Sequence, residues 1–230
     1  VGLPPHPPIA HEREMIADLI RGVNYEVTIG LAPPATQFLL LSGSVANPQD
    51  IVDWLLRIGR DAVLVSHPER PVPLQEVDIE NLPNRAPASA RTWWARAIGN
   101  VLYADLGPVL LFAPRRQAAE DLAQQLAGLP TPDPLSLTAQ QEQLAGPRLA
   151  KLLRQRIAYH HSGLSYAQRA GLIEPLAKHG QLRVVVATMG LAAGINFSMR
   201  SVAISGTSYL VGAFDRQVRP DELLQMYGRA

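Results

Sequence analysis

Short apolar runs ending in Gly, Ser or Pro alternate along this chain with stretches whose apolar residues recur every three or four positions, a pattern of strands and helices in turn. Residues 38–41, F-L-L-L, are continuously apolar and predict a strand buried on both faces of a parallel sheet. The run ends at Ser42-Gly43-Ser44. Asn47 then fits a helix N-cap, with Pro48 at the first helical position, Asp50 in the first turn, Ile51, Val52, Leu55 and Leu56 as the apolar face, and Gly59 as the stop. Residues 62–66 predict the next strand. Upstream, the proline-rich stretch 1–8 predicts extended chain that cannot serve as an interior strand. Downstream, Pro71, Pro73, Pro83 and Pro87 mark a long irregular connection with at most short strands.

The pattern then resumes. Residues 91–100 predict a helix whose Trp93 and Trp94 are read as core, because large aromatics at helical spacing usually bury. Residues 109–112 predict a strand, followed by Ala113-Pro114-Arg115-Arg116 and a helix over 117–126 stopped by Gly128. A helical stretch near 146–156 leads to a short strand at 157–159 that ends at His160-His161-Ser162-Gly163. Ser165 and Gln168 form a capping box for a helix reaching His179, with Gly180 as terminator. Residues 182–187 and 201–205 predict two more strands, and Pro220 opens a last helix with Asp221 and Glu222 in its first turn. Such β-α alternation predicts an α/β fold, a parallel sheet covered by helices on both faces, with ligands at the carboxyl ends of the strands. The expected division is 1–68 as one partial domain, 69–90 as the connection and 91–230 as a second domain.

Composition narrows the possibilities. The 230 residues are 47% hydrophobic and 18% charged, enough for a sizeable core. No run approaches the ~20 apolar residues of a membrane span, and no leader with a cleavage site is legible, so the expectation is a soluble, cytoplasmic protein without membrane contact. Val1 in place of methionine and Ala230 inside a helical pattern suggest a piece of a longer chain. The absence of cysteine excludes disulfides and thiolate metal sites, and the six histidines form no ligand pattern. A metal would have to arrive with a nucleotide. Net charge is +1, so any nucleic-acid contact must come from local placement of cations. Nineteen of the 21 basic residues are arginine, which suits bidentate phosphate recognition, although a GC-rich genome produces the same bias.

Four polar clusters, Ser42-Gly43-Ser44, Arg115-Arg116, His160-His161-Ser162-Gly163 and residues 188–196, each follow an apolar strand and so belong at one shared edge. Singly they are ordinary turn residues; their order and spacing carry more. Residues 37–55, Q-F-L-L-L-S-G-S-V-A-N-P-Q-D-I-V-D-W-L, resemble the third motif and following helix of the superfamily-two DExH helicases of the Ski-like type, with S-G-S in place of S-A-T. V-L-L-F-A-P-R-R at 109–116 is similar to the fourth motif. A-Y-H-H-S-G-L at 158–164, with Arg169, resembles the segment after it; A-T-M-G-L-A-A-G-I-N-F at 187–197 resembles the fifth motif and Q-M-Y-G-R-A at 225–230 the opening of the sixth. The resemblance covers roughly residues 11–230.

It implies a RecA-like, P-loop NTPase-type fold, part of a first domain plus a nearly complete second. It also implies an ATP-dependent DNA or RNA helicase or translocase acting on single-stranded or partly duplex nucleic acid. By resemblance, Thr188 holds a nucleic-acid phosphate, with Arg115, Arg116 and His161 nearby; a solvated loop is the other reading of the two arginines. Gly194 and Asn196 fall on the nucleotide side of the cleft, Gln225 and Arg229 sense the γ-phosphate, and Ser42 and Ser44 couple hydrolysis to strand movement or simply cap a turn. Arginine suits phosphoryl transfer because a rigid planar cation stabilises the charge that builds there.

Departures from the family pattern are equally plain. The phosphate loop G-x-x-x-x-G-K-[ST] is not found, since Lys151 and Lys178 both follow alanine. Setting the family's D-x-x-R-G-x-x-Y-E on Asp18, Arg21, Gly22, Tyr25 and Glu26 puts His11-Glu12-Arg13-Glu14 at the Mg2+-binding D-E-x-H element: Glu12 matches, the aspartate does not, and no apolar strand is expected before it. The sixth motif stops at Ala230, before its second arginine. Two readings follow: a fragment of an ATP- and Mg2+-dependent helicase that works with its missing domains, or a non-catalytic module that binds nucleic acid or protein, inactive as an isolated chain.

Overall fold

The computed structural model describes residues 9–10, 22–41, 48–67, 72–189, 199–211 and 214–229. The chain divides into two units, Val1–Pro73 and Leu74–Ala230.

In the first unit β1 (Ile9–Ala10) pairs in parallel with β2 (Leu39–Leu40), Ile9 opposite Leu39 and Ala10 opposite Leu40. A strand therefore does precede His11-Glu12, contrary to the reading of the proline-rich start, because the prolines end one residue before Ile9. β2 lies inside the predicted run but Leu39 is exposed, so its expected burial on both faces is not met among the described residues. Helices α1 (Gly22–Leu31) and α2 (Pro48–Arg57) follow the strands, the second burying Val52 and Leu55. Gly59 ends α2 as expected. Its φ of 77° is left-handed; its N–H donates to Leu56 O at 3.0 Å and that of Arg60 to Leu55 O at 2.9 Å, a Schellman closure. Arg60 then turns its guanidinium onto the carbonyls of Ile29, Ala32 and Pro33, satisfying the C-terminus of α1, and lies 5.3 Å from the Phe38 ring centre.

Residues 62–66 are not a strand. Val63 and Val65 are 89% and 91% exposed, and an apolar run becomes a strand only where a neighbour pairs with it; none does among the described residues.

In the second unit, residues 74–92 contain one 3-10 turn, Ile79–Asn81, capped by Asp78. Helix α3 (Trp93–Tyr103) is capped by Thr92, whose hydroxyl accepts from the Ala95 N–H. Trp94 packs on the core, whereas Trp93 stays 49% exposed in edge-to-face contact with it. Burying both was the wrong expectation, because adjacent helical positions point about 100° apart. Strand β3 (Val109–Ala113) is buried throughout, and α4 (Arg116–Leu126) follows it. Helix α5 (Ala139–Arg154), capped by Thr138 and Gln141, is kinked at Gly146-Pro147 and leads to β4 (Ile157–His160). The Ser165–Gln168 capping box forms as predicted and starts α6 (Tyr166–Gln168), which runs through a π turn (Arg169–Ile173) into α7 (Glu174–Lys178) and ends at Gly180. Then come β5 (Val184–Thr188), β6 (Ser201–Ile204), a hairpin of β7 (Ser208–Val211) with β8 (Phe214–Gln217), and α8 (Pro220–Tyr227). Glu222 locks α8 to the hairpin, accepting from the Arg219 N–H at 2.8 Å and from Arg216 at 3.1 Å.

Four strands form one sheet, ordered β4-β5-β3-β6 and parallel throughout, with Leu111 opposite both Val186 and Ala203. β3, β4 and β5 are buried almost completely, which is why their sequences read as unbroken apolar runs. At about 1.5–3 kcal/mol for each buried large apolar side chain, this sheet anchors the unit and holds its loops in place.

Candidate nucleic-acid interface

Parallel pairing makes the carboxyl ends of three strands coincide. Ala113 of β3 lies opposite Thr188 of β5, and His160 of β4 opposite Ala187. The segments Pro114-Arg115-Arg116, His161-Ser162-Gly163 and Thr188-Met189 thus leave the sheet at one rim, as the placement of polar clusters after apolar strands predicts.

Arg115 sits exposed at the N-cap of α4 with extended φ and ψ, and Arg116 opens the helix. Both cations therefore stand at a helix N-terminus, whose unpaired N–H groups also favour anions. Arg116 Nη2 donates to Ser162 Oγ at 2.9 Å. One helical turn further, the Glu120 carboxylate faces His161 Nε2 at 3.1 Å and Arg148 at 3.6 Å.

His161 is 4% exposed, and its Nδ1 accepts the Gly163 N–H at 3.1 Å. Its ring stacks on that of Tyr159, centres 5.5 Å apart and planes within 7°. Burial lowers the pKa of His161, with the hydrogen bond to Glu120 opposing in part. Burial also raises the Tyr159 phenol, and Glu120 adds to that rise. His160 is fully buried beneath the rim with Nε2 3.0 Å from Glu174 Oε1, and burial lowers its pKa against the pull of Glu174.

Gly163 leaves little room for a side chain. A Cβ there would stand 3.0 Å from His161 Nδ1 and 3.3 Å from Arg116 Cδ.

Gln225 lies in the last turn of α8 and Arg229 two residues past its end, both half-buried, while Met226 between them enters the core; α8 packs against β6, the edge strand beyond β3. Glu12, Ser42, Ser44, Gly194 and Asn196 lie outside the described residues. Among the described residues no three His, Asp or Glu side chains gather as a metal site, and no helix is long and apolar enough to cross a membrane. Sequence reasoning passed over Glu120 and Arg148. For Glu120 the available signal was its spacing, four positions after Arg116 on one helix face.

A parallel sheet with helices alongside and polar loops along its carboxyl rim defines a RecA-like α/β domain. No profile of a known protein family matches the chain. Individual relatives do. The chain is 31% identical over 227 residues to the ATP-dependent DNA helicase Hel308 of Thermoplasma volcanium, covering 96% of this chain and 33% of that protein. It is 29% identical over 209 residues to the probable ATP-dependent DNA helicase HFM1 of Homo sapiens, covering 84% of this chain and 14% of that protein. To the DExH-box ATP-dependent RNA helicase DExH14 of Arabidopsis thaliana it is 31% identical over 211 residues, 85% of this chain and 10% of the relative. These relatives, with the motifs in order, place the chain with the superfamily-two DExH helicases of the Ski-like type. The chain spans about a third of the length of the Thermoplasma relatives it matches.

Proposed function

We propose that the chain forms part of an ATP-driven helicase or translocase, acting in the cytoplasm, and that its rim grips the phosphodiester backbone of single-stranded or partly duplex DNA or RNA. Residues 1–68 serve as the end of the first RecA-like domain, 69–90 as the connection and 91–230 as the second domain. The observation that supports this best is the convergence of Arg116, braced by Ser162, with Arg115 and Thr188 where β3 and β5 end side by side. Cations and hydroxyls so placed bind phosphate without reading bases, as a moving motor requires.

In this reading ATP binds against Gly194 and Asn196, and Gln225 and Arg229 meet its γ-phosphate, where a planar cation stabilises the charge of phosphoryl transfer. Ser42 and Ser44 couple hydrolysis to strand movement. Mg2+ would shield phosphate charge; its place rests on Glu12 alone, and no cluster among the described residues fits it.

Taken by itself, the 230-residue chain binds without turnover. The support is the sequence, which holds no G-x-x-x-x-G-K-[ST]. The test measures oligonucleotide binding by fluorescence anisotropy and ATP hydrolysis with and without nucleic acid. Salt-sensitive binding without stimulated hydrolysis is expected. Nucleic-acid-stimulated turnover abolished by Arg229→Ala would overturn the second reading, and no binding at low salt would overturn the first.

A further inference from the structure

We infer that His161 and Glu120 serve this rim by positioning: together they hold the Ser162–Gly163 turn in the shape that lets Ser162 anchor Arg116, and neither touches the nucleic acid. The inference rests on the reading of the rim as a nucleic-acid interface and changes what His161 does there.

The hydrogen bonds decide it. Nδ1 of His161 accepts the Gly163 N–H, so it carries no proton; the ring proton is on Nε2 and is donated to the Glu120 carboxylate. One neutral tautomer satisfies both partners, and protonation would set an N–H against the Gly163 N–H. With both nitrogens engaged and the ring buried, His161 has no donor left for a phosphate. Tyr159 fixes the ring plane by stacking. Arg116 is exposed, as is Ser162, whose Oγ it reaches from the helix that also carries Glu120. The same α4 turn thus supplies the outward cation and the carboxylate behind it. Arg148, 3.6 Å from Glu120, offsets a negative charge that would otherwise oppose a phosphate.

The experiment has two independent readouts on the 230-residue chain. Ring nitrogen NMR of the free 15N-labelled chain reports the tautomer of His161; the Nε2–H form is expected near neutral pH, and an Nδ1–H or doubly protonated ring overturns the inference. Anisotropy with fluorescein-labelled oligo(dT) and oligo(rU) reports binding. Asparagine can place its amide oxygen near Nδ1, whereas glutamine reaches toward Nε2. His161→Asn should therefore stay within about twofold of the parent, and His161→Gln should bind about threefold to tenfold more weakly. Glu120→Gln, whose amide oxygen still accepts from Nε2–H, should match the parent, and Glu120→Ala should resemble His161→Gln. Affinity that follows His161→Gln rather than His161→Asn would mean direct contact through Nε2, and unchanged binding by Glu120→Ala would remove its role. If the parent chain binds neither oligonucleotide, the interface reading fails, while the tautomer still decides whether the turn is held as inferred.

Discussion

Arg116 and Ser162 are 46 positions apart in sequence, yet the guanidinium donates to the serine hydroxyl at 2.9 Å. The bond ties the first turn of α4 to the loop leaving β4, so that two strand exits act as one rigid ledge. Without it Arg116 would be a long, exposed side chain free to sample many rotamers, and ordering it on a ligand would cost binding energy.

Arg116→Ala should weaken binding to DNA and RNA oligonucleotides alike and lower the slope of log affinity against log salt by about one. Ser162→Ala should weaken binding less and leave the slope unchanged, because the cation remains. Anisotropy titrations over a range of salt check both. An unaltered slope in Arg116→Ala would show that this arginine meets no phosphate.

Gly163→Ala should destabilise the chain by about 1–3 kcal/mol, since the added methyl presses on His161 and Arg116 at contact distances that require one of them to shift. A urea unfolding midpoint equal to that of the parent would contradict this.

Stability should fall as pH drops below the ordinary histidine value of 6.5, and His160 should be a main cause. Burial first of all lowers its folded-state pKa, and Glu174 opposes. A depressed folded value means the unfolded chain binds more protons, so the contribution is complete above the unfolded pKa and is lost as pH falls toward the folded one. His161 shifts the same way. Urea midpoints between about pH 8 and about pH 5 should decline, and His160→Asn should flatten the decline. A flat profile in the parent would refute the claim.

Leu111→Ala should cost about 2–5 kcal/mol, because the side chain is fully buried in the strand flanked by both β5 and β6. Leu39→Ala, on an exposed position of β2, should stay within about 0.5 kcal/mol. Equal midpoints for the two variants would mean that burial does not rank them.

Much of this architecture is legible wherever a few neighbouring residues decide the outcome. Gly59 terminates α2 because only the local need for a left-handed residue is at stake, and Ser165 with Gln168 starts α6 through bonds spanning three positions. The apolar runs of β3, β4 and β5 announce a parallel sheet because burial on both faces leaves no room for polar alternation. Residues 62–66 carry the same kind of run and pair with no strand among the described residues. Trp93 has the composition of core but the wrong helical azimuth, and the β7–β8 hairpin lies in a stretch for which the sequence predicts no element.

The amino-acid order by itself determined the succession of strands and helices, the family they resemble and the clustering of polar residues after apolar strands, since these depend on periodicity, capping and turn chemistry over short spans. Only the tertiary structure decided which side chains meet. Glu120 stands 3.1 Å from His161 across 41 positions of sequence, and the Gly163 N–H closes on the other ring nitrogen. Those two contacts turn a histidine with the appearance of a phosphate ligand into one whose nitrogens are both engaged, because hydrogen-bond capacity is set by distance in space and no local pattern encodes it.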